Sequence, residues 1–170
     1  DGVLTVMTGR GYCQWSDTMS SLECTKVSDE FGMGRTPTAQ VDKSGNVWTN
    51  VLGPSELAVL NPRTGEYRPV QVSTGPDDED PANDISHLMI DRKGTLWAGG
   101  FWSGLNRLDK GRARFELMTD AEHSALRLPD SRIASELFQN DDGSIWIPTW
   151  RGALRYHPER GVTGRVGGAS

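Results

Sequence analysis

The sequence predicts an all-β protein built from repeated four-stranded antiparallel blades, and three observations lead to that class. A tryptophan recurs every 49 residues, at Trp48, Trp97 and Trp146. Each tryptophan closes the same phrase, in which an Asp or Asn is followed three positions later by Gly and then by an apolar residue. A period of about 45 to 50 residues is that of one β-propeller blade. Function is therefore expected in loops or in contacts with partners.

At this period the 170 residues supply three blades and part of a fourth, whereas propellers have about four to eight blades. We expect a partial blade at residues 1–34 and complete blades at residues 35–75, 82–119 and 130–166, all in one domain over residues 1–170. The chain then forms a sector of a larger propeller or an open array with covered edges. A four-bladed ring closed in an unusual way is the alternative.

The charge pattern bears on the choice of partner. The formal net charge is -5, from 18 basic and 23 acidic residues, and the basic residues do not cluster. Nucleic acid is therefore not an expected partner, because phosphate binding needs a basic surface. No stretch approaches the roughly 18 apolar residues of a membrane-spanning helix, so no transmembrane segment is expected here.

Each complete blade predicts the same order of strands. The innermost strands are predicted at residues 38–41, 85–90 and 133–139, ahead of the three phrases. After the tryptophan strand, a further strand is predicted at residues 57–62, 105–109 and 154–158. A last strand carries Tyr67 and Phe115 in matching places, and it is expected to be weaker in the final copy, around residues 162–166.

The phrase before each tryptophan predicts a tight turn. An Asp or Asn side chain accepts hydrogen bonds from the backbone that follows it, and Gly adopts the left-handed conformation at no steric cost. We expect the tryptophans to pack between blades rather than to bind a ligand. The structural residues of the repeat are then Asp42, Gly45, Trp48, Asp91, Gly94, Trp97, Gly143 and Trp146.

The first copy is degraded and contains the only two cysteines. Residues 11–15 replace the strand after the tryptophan, and no innermost strand is recognisable before them. Cys13 and Cys24 flank a predicted hairpin, so they form either a disulfide or a pair of buried free thiols. They fit no zinc signature. A disulfide would indicate an oxidising compartment.

Two segments resemble the two-component-regulator propeller repeat, which reads Asp-x-x-Gly-x-Leu-Trp, then Gly-Leu, then Arg-aromatic-Asp. They are residues 85–115, with Gly104-Leu105-Asn106-Arg107-Leu108-Asp109, and residues 128–156, with Asp142-Gly143-Ser144-Ile145-Trp146. The resemblance implies an extracytoplasmic sensing module of bacterial membrane receptors. We therefore expect an extracytoplasmic location, in the periplasm.

Residues 35–72 resemble the streptogramin B lyase (virginiamycin B lyase) propellers. That likeness implies a lyase that opens a cyclic ester with a metal ion, a general-base His and a Glu. The chain has only His87, His123 and His157, and none lies in a His-x-Glu or Glu-x-His arrangement. His87 falls in an innermost strand, where it either points into the central channel as a ligand-binding residue or serves a structural role.

Two further groups are candidate binding residues. Phe101, Trp102 and Trp150 follow the tryptophan strands of two blades, and aromatic faces of this kind can stack on sugars. The loop residues Asp77, Asp78, Glu79 and Asp80 could hold a divalent cation such as calcium, which prefers several oxygen ligands. Packing between blades and a solvated loop are the respective alternatives.

These observations predict a non-catalytic binding or docking module, either a sensor sector or an extrinsic subunit of a larger envelope complex. Its expected partner is another protein chain or a membrane-associated assembly. No catalytic residue is predicted, and no cofactor is predicted beyond the cation considered above. A binder of small ligands or carbohydrates and a streptogramin-lyase-like enzyme are the alternatives.

Overall fold

The computed structural model describes residues 3–8, 11–16, 21–26, 38–50, 57–70, 72, 85–100, 104–109, 114–118 and 132–167. Within these ranges the chain forms strands and turns and no helix. The predicted all-β class of antiparallel blades is confirmed. In the described part of the chain, no helix is long and apolar enough to span a membrane.

The strands form four antiparallel sheets, each ordered as in the sequence. The first sheet has three strands: β1 (Val3–Thr8), β2 (Gly11–Ser16) and β3 (Glu23–Lys26). The second has β4 (Ala39–Val41), β5 (Val47–Asn50), β6 (Leu57–Leu60) and β7 (Tyr67–Val70). The third has β8 (Ile85–Ile90), β9 (Leu96–Gly100), β10 (Gly104–Asp109) and β11 (Arg114–Leu117). The fourth has β12 (Phe138–Gln139), β13 (Ile145–Thr149), β14 (Gly152–His157) and β15 (Gly161–Gly167).

The repeated turns have the geometry that their sequence predicts. In the third sheet the N–H of Gly94 donates to the carbonyl of Asp91 at 2.7 Å, and the N–H of Asp91 donates to the carbonyl of Thr95 at 3.0 Å. Gly94 adopts a φ of 80° and Gly143 a φ of 86°, a region that side chains with a Cβ rarely enter. The turn therefore fixes the register between the innermost strand and the tryptophan strand.

Two strand predictions are wrong. The innermost strand of the fourth sheet was expected over residues 133–139, but only β12 is a strand, and Ile133 forms an isolated bridge to Thr149. The last strand was expected to be weak near residues 162–166, but β15 has seven residues and pairs along β14. Its glycines lower strand propensity, and the pairing with β14 overrides that local preference.

The four sheets are joined by three apolar clusters. The first cluster joins Tyr12 of β2 to Val47 and Leu60 of the second sheet. The second joins the second and third sheets, and the third joins the third and fourth sheets. Every sheet in this array therefore packs against its sequence neighbour, as blades do in a propeller.

A disulfide ties the first sheet together. Cys13 and Cys24 lie opposite each other in β2 and β3, and their sulfurs are bonded at 2.06 Å. This sheet has three strands and so has fewer neighbours to hold it than the other sheets. The covalent link compensates by restricting the unfolded chain.

Candidate functional site

Each sheet has one face toward the preceding sheet and one toward the following sheet, because side chains alternate along a strand. In β9, Leu96 and Ala98 belong to the cluster shared with the second sheet. Trp97, between them, belongs to the cluster shared with the fourth sheet. The repeated tryptophan thus lies on the face toward the following sheet.

Trp97 is fixed on every side. It is 1% exposed, and its Nε1–H donates to Oδ2 of Asp91 at 3.1 Å. Its ring meets Tyr156 of β14 edge-on, with the ring centroids 6.0 Å apart, and the guanidinium of Arg107 lies 5.9 Å from its centroid. These contacts make Trp97 a packing residue between blades.

The same arrangement occurs one blade earlier. Nε1 of Trp48 donates to Oδ2 of Asp42 at 3.1 Å, and the Asp42 carboxylate also accepts from Asn46 and Ser44. Burial alone would raise the pKa of Asp42, but the hydrogen bonds from Trp48, Asn46 and Ser44 outweigh it and hold that pKa below its usual value. The turn therefore keeps a charged carboxylate that orients the indole.

The face of the fourth sheet that points away from the third sheet has no neighbour among the described residues. We call it the trailing face. It consists of side chains that are joined by cross-strand pairing, namely Phe138 with Trp146, Pro148 with Ala153, and Ala153 with Val166. Stepping back by 48 or 49 residues gives Met89, Trp97, Gly99, Leu105 and Met118 in the third sheet.

Those counterparts in the third sheet are covered. Met89 and Met118 pack against the cluster between the third and fourth sheets. On the trailing face, by contrast, Phe138 is 61% exposed and Val166 is 59% exposed. The trailing face therefore repeats an internal blade contact, but no sheet in the described part of the chain covers it.

The opposite end of the array also has an apolar face. We call it the leading face, and it consists of Leu4 and Val6 of β1 with Trp15 of β2, which lies opposite Leu4. The three side chains are 58%, 43% and 42% exposed. The other face of the same sheet carries Tyr12 and packs on the second sheet. Both ends of the array thus present apolar side chains to solvent.

Polar contacts link successive turns along one edge of the array. Nζ of Lys43 donates to the carbonyl of Arg92 at 3.2 Å. One step of 49 residues further on, Arg92 donates to the carbonyl and the carboxylate of Asp141, both at 2.9 Å. Lys93 pairs with Glu159 across the same gap. Each turn therefore holds its successor at a fixed distance.

The last turn has a charged cluster. Asp142 accepts from the N–H and the hydroxyl of Ser144 at 3.0 and 2.6 Å and pairs with Arg155. The two Ser144 hydrogen bonds, with help from Arg155, lower the pKa of Asp142 to about 2. Arg160 lies 3.6 Å from the same carboxylate. The Asp142 carboxylate is therefore already engaged by the side chains of its own sheet.

His87 lies within the electrostatic influence of a carboxylate that is not among the predicted site residues. His87 is half-buried in β8, and burial lowers the pKa of its imidazole while the negative charge of Glu136 opposes the shift. Glu136 stands 49 residues after His87, ahead of β12. The repeat period, applied to His87, would have found this pair.

A small cavity lies between the second and third sheets. Its volume is about 120 Å³, and it is lined by Asp42, Lys43, Ser44, Trp48, Ile90, Gly94, Leu96 and Leu108. A cavity that holds one water needs about 10 to 15 Å³ on a comparable measure, so this one suits a few waters rather than a drug-sized ligand, which needs several hundred Å³.

Of the remaining predicted site residues, one is exposed and the others lie outside the described residues. Trp150 is 64% exposed, and its backbone N–H donates to the carbonyl of Arg132. Its predicted partners Phe101 and Trp102, the loop residues 77–80 and His123 lie outside the described residues. Within the described ranges, no three His, Cys, Asp or Glu residues form a group suited to a metal ion.

Comparison with known proteins gives matches at the level of structure. No family model and no curated protein matches the chain. The chain is similar to the extracellular domain of the hybrid two component system BT3049 from B. thetaiotaomicron, at 18% identity, a TM-score of 0.64 and 95% coverage of this chain. It is similar to AztD from Citrobacter koseri, at 13% identity, a TM-score of 0.63 and 97% coverage. It is also similar to a catalytically inactive virginiamycin B lyase from Staphylococcus aureus with quinupristin, at 11% identity, a TM-score of 0.62 and 90% coverage.

These likenesses establish the fold as that of β-propeller blades. The chain spans 23% of the B. thetaiotaomicron domain, 44% of AztD and 47% of the lyase. It therefore corresponds to half or less of each of these structures. At such identities the likeness carries no statement about activity.

Proposed function

We propose that this chain is a non-catalytic, extracytoplasmic docking module that packs its end faces against another protein chain. The main observation is that the same contact surface is covered in the third sheet and exposed in the fourth sheet. Phe138 and Val166 are exposed where Met89 and Met118 are packed. Burying a large apolar side chain contributes about 1.5 to 3 kcal/mol, so a partner that covers the trailing face gains a substantial driving force.

Two observations support an extracytoplasmic site for this function, and in a bacterium the periplasm. The Cys13–Cys24 disulfide suits an oxidising compartment. One of the similar structures is an extracellular domain of a two component system. The net charge of -5 argues for a protein partner or a membrane-associated assembly over nucleic acid. The module then serves as a sector of a sensor propeller or as an extrinsic subunit of an envelope complex.

Site-specific photo-cross-linking in the source organism tests this proposal. A photoreactive residue replaces Phe138 on the trailing face, and in a matched variant it replaces Thr163, which is exposed on the outermost strand of the same sheet. We expect a defined cross-linked product from position 138 and none from position 163. Equal products from both positions, or none from position 138, would refute docking through the trailing face.

A second candidate function is favoured by the His87–Glu136 pair. A half-buried imidazole that is influenced by the charge of a carboxylate is a candidate general base, and in that role His87 would serve a streptogramin-lyase-like opening of a cyclic ester. Incubation with quinupristin and Mg²⁺, followed by mass spectrometry, checks for the opened product, with His87→Ala as the inactive variant and His157→Ala as its control. Absence of any opened product from the unmodified chain would exclude this activity.

A further inference from the structure

We propose that the trailing face binds the leading face of a second copy of this chain, so that two copies close one ring of eight sheets. The proposal rests on the docking function above and names its partner. Each copy supplies four sheets, and eight blades lie within the range of about four to eight that propellers adopt. The ring contains two equal head-to-tail contacts related by a twofold axis, which is how unlike surfaces can close an assembly.

The repeat tryptophan has the same position in both internal contacts. Trp97 meets Tyr156 of the following sheet edge-on. Trp48 lies in one cluster with Leu108 of its following sheet. Tyr156 and Leu108 are equivalent residues. Leu108 follows Arg107, which is paired with Trp97, and Tyr156 follows Arg155, which is paired with Trp146. The same position on the third strand of a sheet therefore contacts the tryptophan of the preceding sheet.

The leading face has a residue at the position that contacts this tryptophan. In β2 the run Gly11 to Trp15 matches Gly104 to Leu108 of β10, so Trp15 takes the place of Leu108. Through the pairing of β1 with β2, Leu4 and Val6 take the places of Leu96 and Ala98, which are buried against the second sheet. The leading face therefore has the residues of an accepting surface, and it is exposed.

The residues of the trailing face match those of the leading face. In the proposed contact Trp146 of one copy meets Trp15 of the other, as Trp97 meets Tyr156 within the chain. Phe138 and Val166 are covered in the same contact, on the pattern of Met89 and Met118. Arg155 pairs with Asp142 at the edge of the trailing face, so no unpaired charge needs to be buried there.

A second copy covers both exposed faces at once, whereas an unrelated partner on one face would leave the other in solvent.

Light scattering on the purified chain tests the assembly. We expect a mass about twice the 18.7 kDa of one chain, and a Phe138→Arg variant is expected to have the mass of one chain, because a buried unpaired charge is strongly unfavourable. Thr163→Arg, on the exposed edge of the same sheet, is expected to keep the doubled mass. A single-chain mass for the unmodified protein at millimolar concentration would overturn the second-copy proposal.

Cross-linking between two variants tests the orientation. Phe138→Cys and Leu4→Cys chains are mixed and treated with a short bis-maleimide, and Cys13 and Cys24 are bonded to each other and do not react. We expect the product to join one chain of each variant. A product formed within the Phe138→Cys population alone would overturn the head-to-tail arrangement.

The two proposals fail separately. If the purified chain stays single while the photoreactive residue at position 138 still captures a different protein, the second-copy proposal is wrong and the docking function stands. If the captured segment is a further blade of the same polypeptide, the second-copy proposal is likewise wrong. If position 138 captures nothing and the mass is that of one chain, both proposals are refuted.

Discussion

Trp97 and Trp146 close the same turn phrase 49 residues apart, yet they lie in different environments. Trp97 is enclosed by the fourth sheet, whereas Trp146 is half-buried on the trailing face. Both copies keep the Gly and the Trp of the turn phrase at the same spacing, and the difference in burial follows from the presence of a following sheet. In a repeat array, burial of an equivalent residue is decided by its neighbour, because stability is shared between adjacent repeats.

The turns of the two copies also differ in how they use carboxylates. Asp91 accepts from the N–H of Thr95 at 2.8 Å and from the Trp97 indole. The last turn has Asn140 at the place of Asp91, and its carboxylate at Asp142 accepts from Ser144 and pairs with Arg155. In the buried turn the Asp91 carboxylate therefore orients the Trp97 indole, whereas in the last turn the Asp142 carboxylate pairs with Arg155 at the surface.

The largest expected difference between the two copies is in the tryptophans themselves. Trp97→Ala is expected to lower the free energy of unfolding by about 3 to 5 kcal/mol, because it leaves a cavity between two sheets. Trp146→Ala is expected to cost about 1 kcal/mol or less. Both are measured by urea unfolding in the Phe138→Arg background, which keeps the trailing face uncovered. Equal losses of unfolding free energy in the two variants would contradict the difference in burial between Trp97 and Trp146.

Removal of the disulfide is expected to act at the leading end alone. Replacing Cys13 and Cys24 by Ala opens a link with a sequence separation of 11, which is expected to cost about 2 to 4 kcal/mol. Amide hydrogen exchange should then accelerate in β1–β3 and stay unchanged in β13 and β14. Acceleration throughout the chain would mean that the four sheets unfold as one unit.

A smaller effect is expected from the carboxylate under Trp97. Asp91→Asn weakens the hydrogen bonds to Thr95 and Trp97, and charge-assisted bonds of this kind contribute about 1.5 to 3 kcal/mol. Asp141→Asn is the matched control, because that side chain is fully solvent-exposed and its ion pair with Arg92 contributes little. Thermal unfolding of both variants measures the difference. If Asp141→Asn were the more damaging, the buried turn would not depend on its carboxylate.

The smallest effect concerns acid pH. The pKa of Asp142 is lowered from 3.8 to about 2, so its contribution to stability is complete above about pH 4 and is lost as the pH falls toward 2. Carbon-13 NMR of the carboxyl group measures the midpoint directly. Ser144→Ala should raise the midpoint, because it removes the hydroxyl hydrogen bond that is the largest single cause of the lowered pKa. A midpoint near 3.8 in the unmodified chain would contradict the turn geometry.

The sequence predicted those parts of the fold that follow from local rules. The turns around Gly94 and Gly143 and the tryptophan strands after them are set by φ preferences and alternation. The extent of β15 was not predicted, because its pairing with β14 offsets its glycine content. The short β12 was not predicted either, since periodicity alone does not show where strand pairing stops.

The candidate site was less accessible to sequence reasoning. The exposure of Phe138 and Val166 depends on a missing neighbour, which no local pattern reports. The electrostatic influence of Glu136 on His87 depends on a strand and a non-strand segment that are distant in sequence, although the 49-residue step contains the signal. Applying the repeat period to polar residues as well as to tryptophans would have identified that pair.

We propose that the trailing face repeats the contact around Trp97 and that a partner covers it in the native assembly. Hydroxyl-radical footprinting measures this by comparing the oxidation of Val166 in the native assembly with that in the dissociated Phe138→Arg chain, which retains Val166 as the probe. We expect Val166 to be protected in the assembly and the outer-strand residue Thr163 to be oxidised equally in both forms. Equal oxidation of Val166 in the assembled and single-chain forms would refute coverage of the trailing face.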